Sequence, residues 1–320
     1  MDFVAPSVPD RFQILSLDGG GIRGVFTAAV LAAIEDDLKT DVTKHFDLIA
    51  GTSTGGIVAL ALGLGIRPRE ILEFYLQHGP MIFKKRAGLA AVQHWVRRKY
   101  SRAPLEKAVR LIFGDRTFGE SRVRLIIPSF NLDEDEVYNF RTPHHERLRR
   151  DYRVPAWKVA LATSAAPTYF SPFRGVDSLR LADGGLWANN PALVALIEAH
   201  KTLEVPLDRI AMLSIGTMAP VVRRPRSLNW GGLLAWAPHV PALIISATSV
   251  SVVNHTRYLL GDRFLRVDPK VPDHEVQLDK VEAAETFLGR ARHYSRTQMP
   301  EIARVFAGHS ATPYSPCHRA

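Results

Sequence analysis

Residues 45–65 read HFDLIAGTSTGGIVALALGLG. His45–Gly51 is short and apolar, the pattern of a buried strand. Gly56–Gly65 is apolar on every side and reads as a buried helix. Between them lies Gly51-Thr52-Ser53-Thr54-Gly55, a G-x-S-x-G pentapeptide. A sharp strand-to-helix turn lifts the serine hydroxyl above the sheet edge, and glycines on both flanks leave room where a Cβ would clash. The helix that follows adds positive potential at its N-terminus, where an oxyanion would develop. Ser53 is therefore a candidate nucleophile.

Upstream, the same strand–turn–helix order appears a first time. Phe12–Leu17 (FQILSL) is a predicted strand and Val25–Leu38 a predicted helix, with Asp18-Gly19-Gly20-Gly21-Ile22-Arg23-Gly24 between them. Two such units within 65 residues predict α/β architecture around a largely parallel sheet. The glycine turn has two readings. Gly19, Gly21 and Gly24 satisfy G-x-G-x-x-G, the fingerprint of a dinucleotide-binding oxidoreductase. Its acid would then have to come from the Glu35–Asp37 cluster, on a helix and not at a strand end. The second reading is an oxyanion hole, with successive glycine N–H groups converging on one oxygen and Arg23 ordering the loop or adding charge. The G-x-S-x-G in the next unit favours the second.

Downstream, the pattern predicts a helix at Arg67–Gln77, strands at Arg122–Pro128 and Glu136–Phe140, and a helix at Pro155–Ser164. It then gives a strand at Leu179–Ala182, a helix at Pro191–His200, a strand at Arg209–Ile215, a helix at Ala242–Leu260, a strand at Asp262–Val267 and a closing helix at Val276–Met299. Asp183-Gly184-Gly185 follows the fifth strand. A serine nucleophile needs a base. Asp183 held against Ser53 would make a dyad, whereas a histidine would make a triad. The 12 histidines are scattered, and none stands in a motif that commends it. His144-His145 reads as a solvated turn, Asp133–Glu136 (DEDE) as an exposed hairpin tip, and no metal-ligand spacing is present.

Composition sets the outer bounds. The chain has 320 residues, 46% hydrophobic and 23% charged, which excludes wholesale disorder. One cysteine, Cys317, excludes an intrachain disulfide. The N-terminus carries no basic-then-apolar leader, and no run reaches about 18 uninterrupted apolar residues, so a soluble intracellular protein is expected. The 41 Lys+Arg against 32 Asp+Glu give a net charge of +9, which suits anionic partners. Lys84–Arg102, basic with Trp95 interleaved, reads as a membrane-facing or lid segment or as a solvated basic helix. Trp230–Val253 reads as the lining of an acyl channel or as core. Arg223-Arg224-Pro225-Arg226 reads as a basic loop.

Together, D-G-G-G-x-R-G, G-T-S-T-G-G and D-G-G, in that order, resemble the patatin-like phospholipases over about residues 11–300, with 1–10 and 301–320 as terminal extensions. The resemblance implies a three-layer α/β/α sandwich with a mostly parallel central sheet. It also implies hydrolysis of lipid acyl esters by a Ser53–Asp183 dyad, with Gly19, Gly20, Gly21 and Arg23 at the oxyanion hole, and neither cofactor nor metal. HFDLIAGTSTGGIVALALGLG, ILEFYLQHGPMIF and YLLGDRFLRVDP are similar to bacterial patatins that act as effectors in cyclic-oligonucleotide anti-phage signalling. That finer likeness implies a cyclic GMP-AMP-type dinucleotide activator, a membrane phospholipid substrate, no nucleic-acid polymer, and cytoplasmic residence with transient contact at the inner membrane face. An unregulated lipid hydrolase and a nucleotide-binding protein without turnover are the competing functions.

Overall fold

The computed structural model describes residues 10–84, 98–218, 220–221, 224–272 and 283–319. Its strands are β1 (Phe12–Leu17), β2 (Leu48–Gly51), β3 (Arg124–Asn131), β4 (Glu136–Arg141), β5 (Leu181–Asp183), β6 (Ile210–Ile215), β7 (Pro220–Val221), β8 (Phe264–Val267) and β9 (Val271–Pro272). The helices are α1 (Gly24–Leu38), α2 (Thr54–Gly63), α3 (Pro68–Ile82), α4 (Ala103–Phe113), α5 (Ala156–Thr163), α6 (Gly185–Ala188), α7 (Ala192–Ile197), α8 (Leu233–Trp236), α9 (Val240–Leu260) and α10 (Ala284–Ile302).

Seven strands form the main sheet in the order β4-β3-β2-β1-β6-β8, with β5 paired to β3. The inner pairs β3–β2, β2–β1, β1–β6 and β6–β8 are parallel, while β4 and β5 run antiparallel to β3. Parallel strands need both faces covered, and the side chains alternate accordingly. In register across the sheet, Leu125, Ile49, Leu15, Leu213 and Leu265 point to one face. That face packs on α1, α2, α3, α5 and α10. Phe12, Ile14, Leu48, Ile126, Ile210, Met212 and Phe264 point to the other, where α7 and one side of α9 cover them. The result is the expected α/β fold, a three-layer α/β/α sandwich with a mostly parallel central sheet.

The connections after β1, β2, β6 and β8 all leave from one edge of the sheet, the edge where open α/β folds place their ligands. Those connections begin with Asp18, Thr52, Gly216 and Asp268.

Some boundaries differ from the pattern. The second strand starts at Leu48 and not at His45, because Val42–His45 forms a tight helical turn. Asp41 Oδ1 caps it, accepting the Thr43 N–H (2.9 Å) and hydroxyl (2.7 Å). Asp47 then turns aside to accept the Gln13 N–H at 2.8 Å. Helix α4, absent from the sequence reading, buries Leu105, Ala108, Val109 and Phe113 along one stripe. Most of Lys84–Arg102, with Trp95, lies outside the described residues, as does the start of the closing helix. The chain beyond α10 packs back on the body: Phe306 is buried 5.8 Å from the Phe46 ring, and the Ala311 N–H donates to Lys44 O at 2.7 Å. Among the described residues no helix is long and apolar enough to cross a membrane.

Candidate active site

Ser53 sits between β2 and α2 with φ 55° and ψ −120°, a backbone conformation that L-residues rarely adopt. The surroundings hold it there. A Cβ on Gly51 would strike the Gly55 carbonyl, and one on Gly55 would strike the carbonyls of Leu17 and Asp18. The start of α2 is thus pressed against the end of β1, and G-x-S-x-G is the sequence that permits the approach. The Ser53 N–H donates to Thr163 Oγ1 at 3.0 Å, and the Thr163 hydroxyl donates to Pro128 O at 2.6 Å. Behind the turn, Thr54 Oγ1 and the Tyr75 hydroxyl lie 2.5 Å apart, and Tyr75 also donates to Thr54 O at 3.0 Å.

Strand β3 brings Asp183 to this turn. One edge of β3 is taken by β4 from Ile126 to Asn131. The other is shared: β2 pairs with Arg124–Ile126, and β5 takes over at Ser129–Asn131. Asp183, opposite Ser129, therefore lies where β2 would continue past Gly51. The Ser53 hydroxyl donates to Asp183 Oδ2 at 2.7 Å, and the Gly185 N–H donates to Oδ1 at 2.7 Å. Asp183 is buried. Burial pushes its pKa up to about 6, against the lowering pull of the Ser53 hydroxyl and the Gly185 N–H. No described histidine bonds to Ser53 or Asp183. His144 pairs with Glu198, His309 with Asp47, and His45 with the His309 carbonyl.

The turn after β1 lies against Ser53. A Cβ on Gly19 would sit 2.6 Å from Asn189 Oδ1 and 3.3 Å from Ser53 Cβ. The four residues of the expected oxyanion hole take different parts. The Gly19 N–H already donates to Asn189 O at 2.9 Å. Arg23 turns its side chain to the loop itself, donating to Gly20 O (3.2 Å) and Met218 O (3.1 Å). Gly20 and Gly21, the latter at φ 58°, have N–H groups with no backbone acceptor among the described residues.

Below this loop runs an ion network that pattern reading missed. Arg266, on β8, donates to Asp18 Oδ1 (2.8 Å), Asp18 Oδ2 (2.5 Å), Asp268 Oδ2 (2.8 Å) and Ser214 Oγ (2.7 Å). It ties the strand ends of β1, β6 and β8 together. Burial pushes Asp18 up to about 6 despite the opposing pull of Arg266. The only available signal was an arginine inside an otherwise apolar strand.

One disfavoured reading loses its support, and one expectation is corrected. In the cluster on which the dinucleotide reading drew, Glu35 accepts from the Val42 N–H (2.9 Å) and from Arg67 (2.9 Å), and Asp36 accepts from Arg69 (2.8 Å), so both acids serve the packing of α1 on α3. His144 is no solvated turn, because it is buried with Nε2 2.9 Å from Glu198 Oε1. Asp133–Glu136 is the β3–β4 hairpin tip, as expected. Among the described residues no cluster of His, Cys, Asp and Glu could hold a metal ion.

A serine on a strained strand-to-helix turn, hydrogen-bonded directly to a buried aspartate and set beside a glycine loop, has the layout of an α/β serine hydrolase. Residues 15–196 match the family described as patatin-like phospholipase, and the chain belongs to that family. It is 35% identical over 311 residues to a cGAMP-activated phospholipase of Pseudomonas aeruginosa, across 94% of this chain and 93% of that protein. A cGAMP-activated phospholipase of Vibrio cholerae is 34% identical, with 84% of each chain covered. Patatin-like protein 1 of Arabidopsis thaliana is 31% identical, with 85% of this chain and 77% of that protein covered.

Proposed function

We propose that this protein is a cytoplasmic phospholipase that cleaves the acyl esters of membrane phospholipids with a Ser53–Asp183 dyad and is switched on by a cyclic GMP-AMP-type dinucleotide. The 2.7 Å bond from Ser53 Oγ to Asp183 Oδ2 carries the catalytic part. Asp183 takes the hydroxyl proton as Ser53 Oγ attacks the ester carbonyl. The carbonyl oxygen becomes an oxyanion, held by the Gly20 and Gly21 N–H groups, while Gly19 and Arg23 fix the loop that presents them. When the intermediate collapses, the C–O bond to the lysolipid breaks, and the alkoxide leaves with the proton from Asp183. Water then gives its proton to Asp183 and its oxygen to the acyl carbon, releasing fatty acid and restoring the Ser53 hydroxyl.

The activator part is supported by the names of the Pseudomonas and Vibrio relatives, which align over 94% and 84% of the chain. A net charge of +9 suits both a doubly anionic activator and an anionic lipid surface. The test is fatty-acid release from mixed phospholipid vesicles by wild type and Ser53→Ala, each with and without a panel of cyclic dinucleotides. Release that needs both Ser53 and one dinucleotide is expected. Release that needs Ser53 alone removes the activator. Release that persists in Ser53→Ala removes the dyad.

A further inference from the structure

The Arg224–Leu260 arm presents large apolar side chains to solvent. Trp230 is 76% exposed, Leu233 82% and Leu234 93%, and Trp236 is exposed beside them. The arm continues into α9, which buries only Thr256 and Leu260 fully and turns Ile244, Ile245, Val250 and Tyr258 outward. Large apolar side chains gathered in solvent along one segment mark an interaction surface.

Charge narrows the partner. The chain contains 32 Asp+Glu, yet none falls between Arg209 and Gly261. Arg224 and Arg226 stand exposed at the start of the arm. Two copies joined through this face would set arginine against arginine with no acid to offset them. A sheet of anionic headgroups over hydrocarbon satisfies both features at once. Leucine and tryptophan enter the headgroup–acyl boundary while arginines meet phosphates.

Position completes the case. Helix α9 packs against α6, the single turn that leads directly from Asp183-Gly184, and Leu186 of α6 is itself exposed. A surface resting on α9 therefore lies beside the Ser53–Asp183 edge.

We propose that residues 224–236 and the outer side of α9 form a docking surface for an anionic phospholipid bilayer, delivering the catalytic edge to its substrate. This rests on the phospholipase reading and names the surface that the reading requires.

The experiment uses full-length Ser53→Ala protein, so that lipid is bound but not consumed. Sedimentation with sucrose-loaded vesicles compares phosphatidylcholine alone with phosphatidylcholine plus phosphatidylglycerol, with and without cyclic GMP-AMP. Binding to the anionic vesicles is expected, weakening with salt. Adding Leu233→Asp/Leu234→Asp is expected to weaken it at least about tenfold, and Arg224→Ala/Arg226→Ala severalfold. A thermal melt confirms that each variant is folded, and the arginine pair serves independently if the leucine pair is not. The proposal is overturned if the parent protein ignores anionic vesicles or if folded variants bind like the parent. It is equally overturned if light scattering shows the leucine pair dissolving a dimer while vesicle binding persists. Ser53-dependent hydrolysis of soluble p-nitrophenyl butyrate reads the dyad separately, so the two proposals fail independently.

Discussion

The turn that holds Ser53 and the arm from Arg224 to Leu260 meet through α6, yet they are built by opposite rules. At the turn, backbone lies against backbone. Gly55 has no space for a single methyl group, and Ser53 holds a positive φ because neighbouring chain fixes it. The polar atoms there have partners: Ser53 N–H on Thr163, Thr163 on Pro128, Asp183 on Gly185. On the arm, side chains of the size that fill a core point into solvent, and acids are absent. A reacting serine has to be placed to a fraction of an ångström, which favours a rigid, fully paired setting. A surface that meets fluid lipid has no fixed counterpart to match, so apolar area and charge suffice.

Losing the dyad breaks the first region most severely. Ser53→Ala and Asp183→Asn are each expected to lower vesicle lipolysis at least about 10³-fold, measured as fatty-acid release. The proton-accepting form of Asp183 is the ionised one. With its pKa near 6, kcat/KM should fall as pH drops through 6, by about tenfold per unit below it. Stability runs the other way. The folded value lies above the ordinary 3.8, so the folded protein holds this proton more tightly than the unfolded chain. That contribution to stability is fully present below pH 4 and is lost as pH rises through 6. Asp183→Asn, which keeps an acceptor for Gly185 and a donor for Ser53, should therefore melt higher than wild type at pH 7 while being inactive. A lower melt would show that the ionised carboxylate is no burden to the fold.

Next in size is Arg266→Met, which leaves the Asp18 and Asp268 carboxylates together without their cation. Removing one partner of a buried ion network costs about 3–5 kcal/mol. Urea unfolding should show that loss, with activity falling alongside it as the Asp18–Gly24 loop loosens. A loss under about 1 kcal/mol would mean that the network does not fix the strand ends.

Thr163→Val removes one hydroxyl and keeps the shape. It strips the Ser53 N–H and the Pro128 carbonyl of their partner, at about 1–3 kcal/mol for a buried unsatisfied group. Because the strained turn relies on that bond, kcat/KM on a soluble ester should drop about tenfold, equivalent to about 1.4 kcal/mol. Unchanged kinetics would show that the glycine contacts alone hold the elbow.

How far the sequence foretold each region follows from the range of the forces involved. The rigid region was largely legible: β1 runs from Phe12 to Leu17 as the pattern predicts, and both glycine turns sit at strand ends. Their residues are dictated by sterics within a few positions, which a linear motif records. The partition of the glycine loop was not legible. That Gly19 donates to Asn189 and Arg23 to Met218 depends on segments far away in the chain. The same holds for Arg266 and Asp18, which lie 248 residues apart. The arm was legible as apolar but not as exposed. Hydropathy reports what a side chain prefers, whereas exposure depends on whether the rest of the fold covers it, and here α7 covers only one side of α9.

The smallest effect sharpens the contrast most. Leu234→Asp changes a large apolar side chain to a charge, a substitution that in the core would cost several kcal/mol. Leu234 is 93% exposed, so folding buries almost none of its surface and the unfolded chain gains nothing by the exchange. Urea unfolding of Leu234→Asp should match wild type within about 0.5 kcal/mol. Leu260→Ala, on the buried side of α9, should cost about 2–5 kcal/mol. If Leu234→Asp proved as damaging as Leu260→Ala, the arm would be packed against the body in solution and its apolar side chains would belong to the core. If it is silent in unfolding, whatever Leu234 does, it does in contact with something other than this fold.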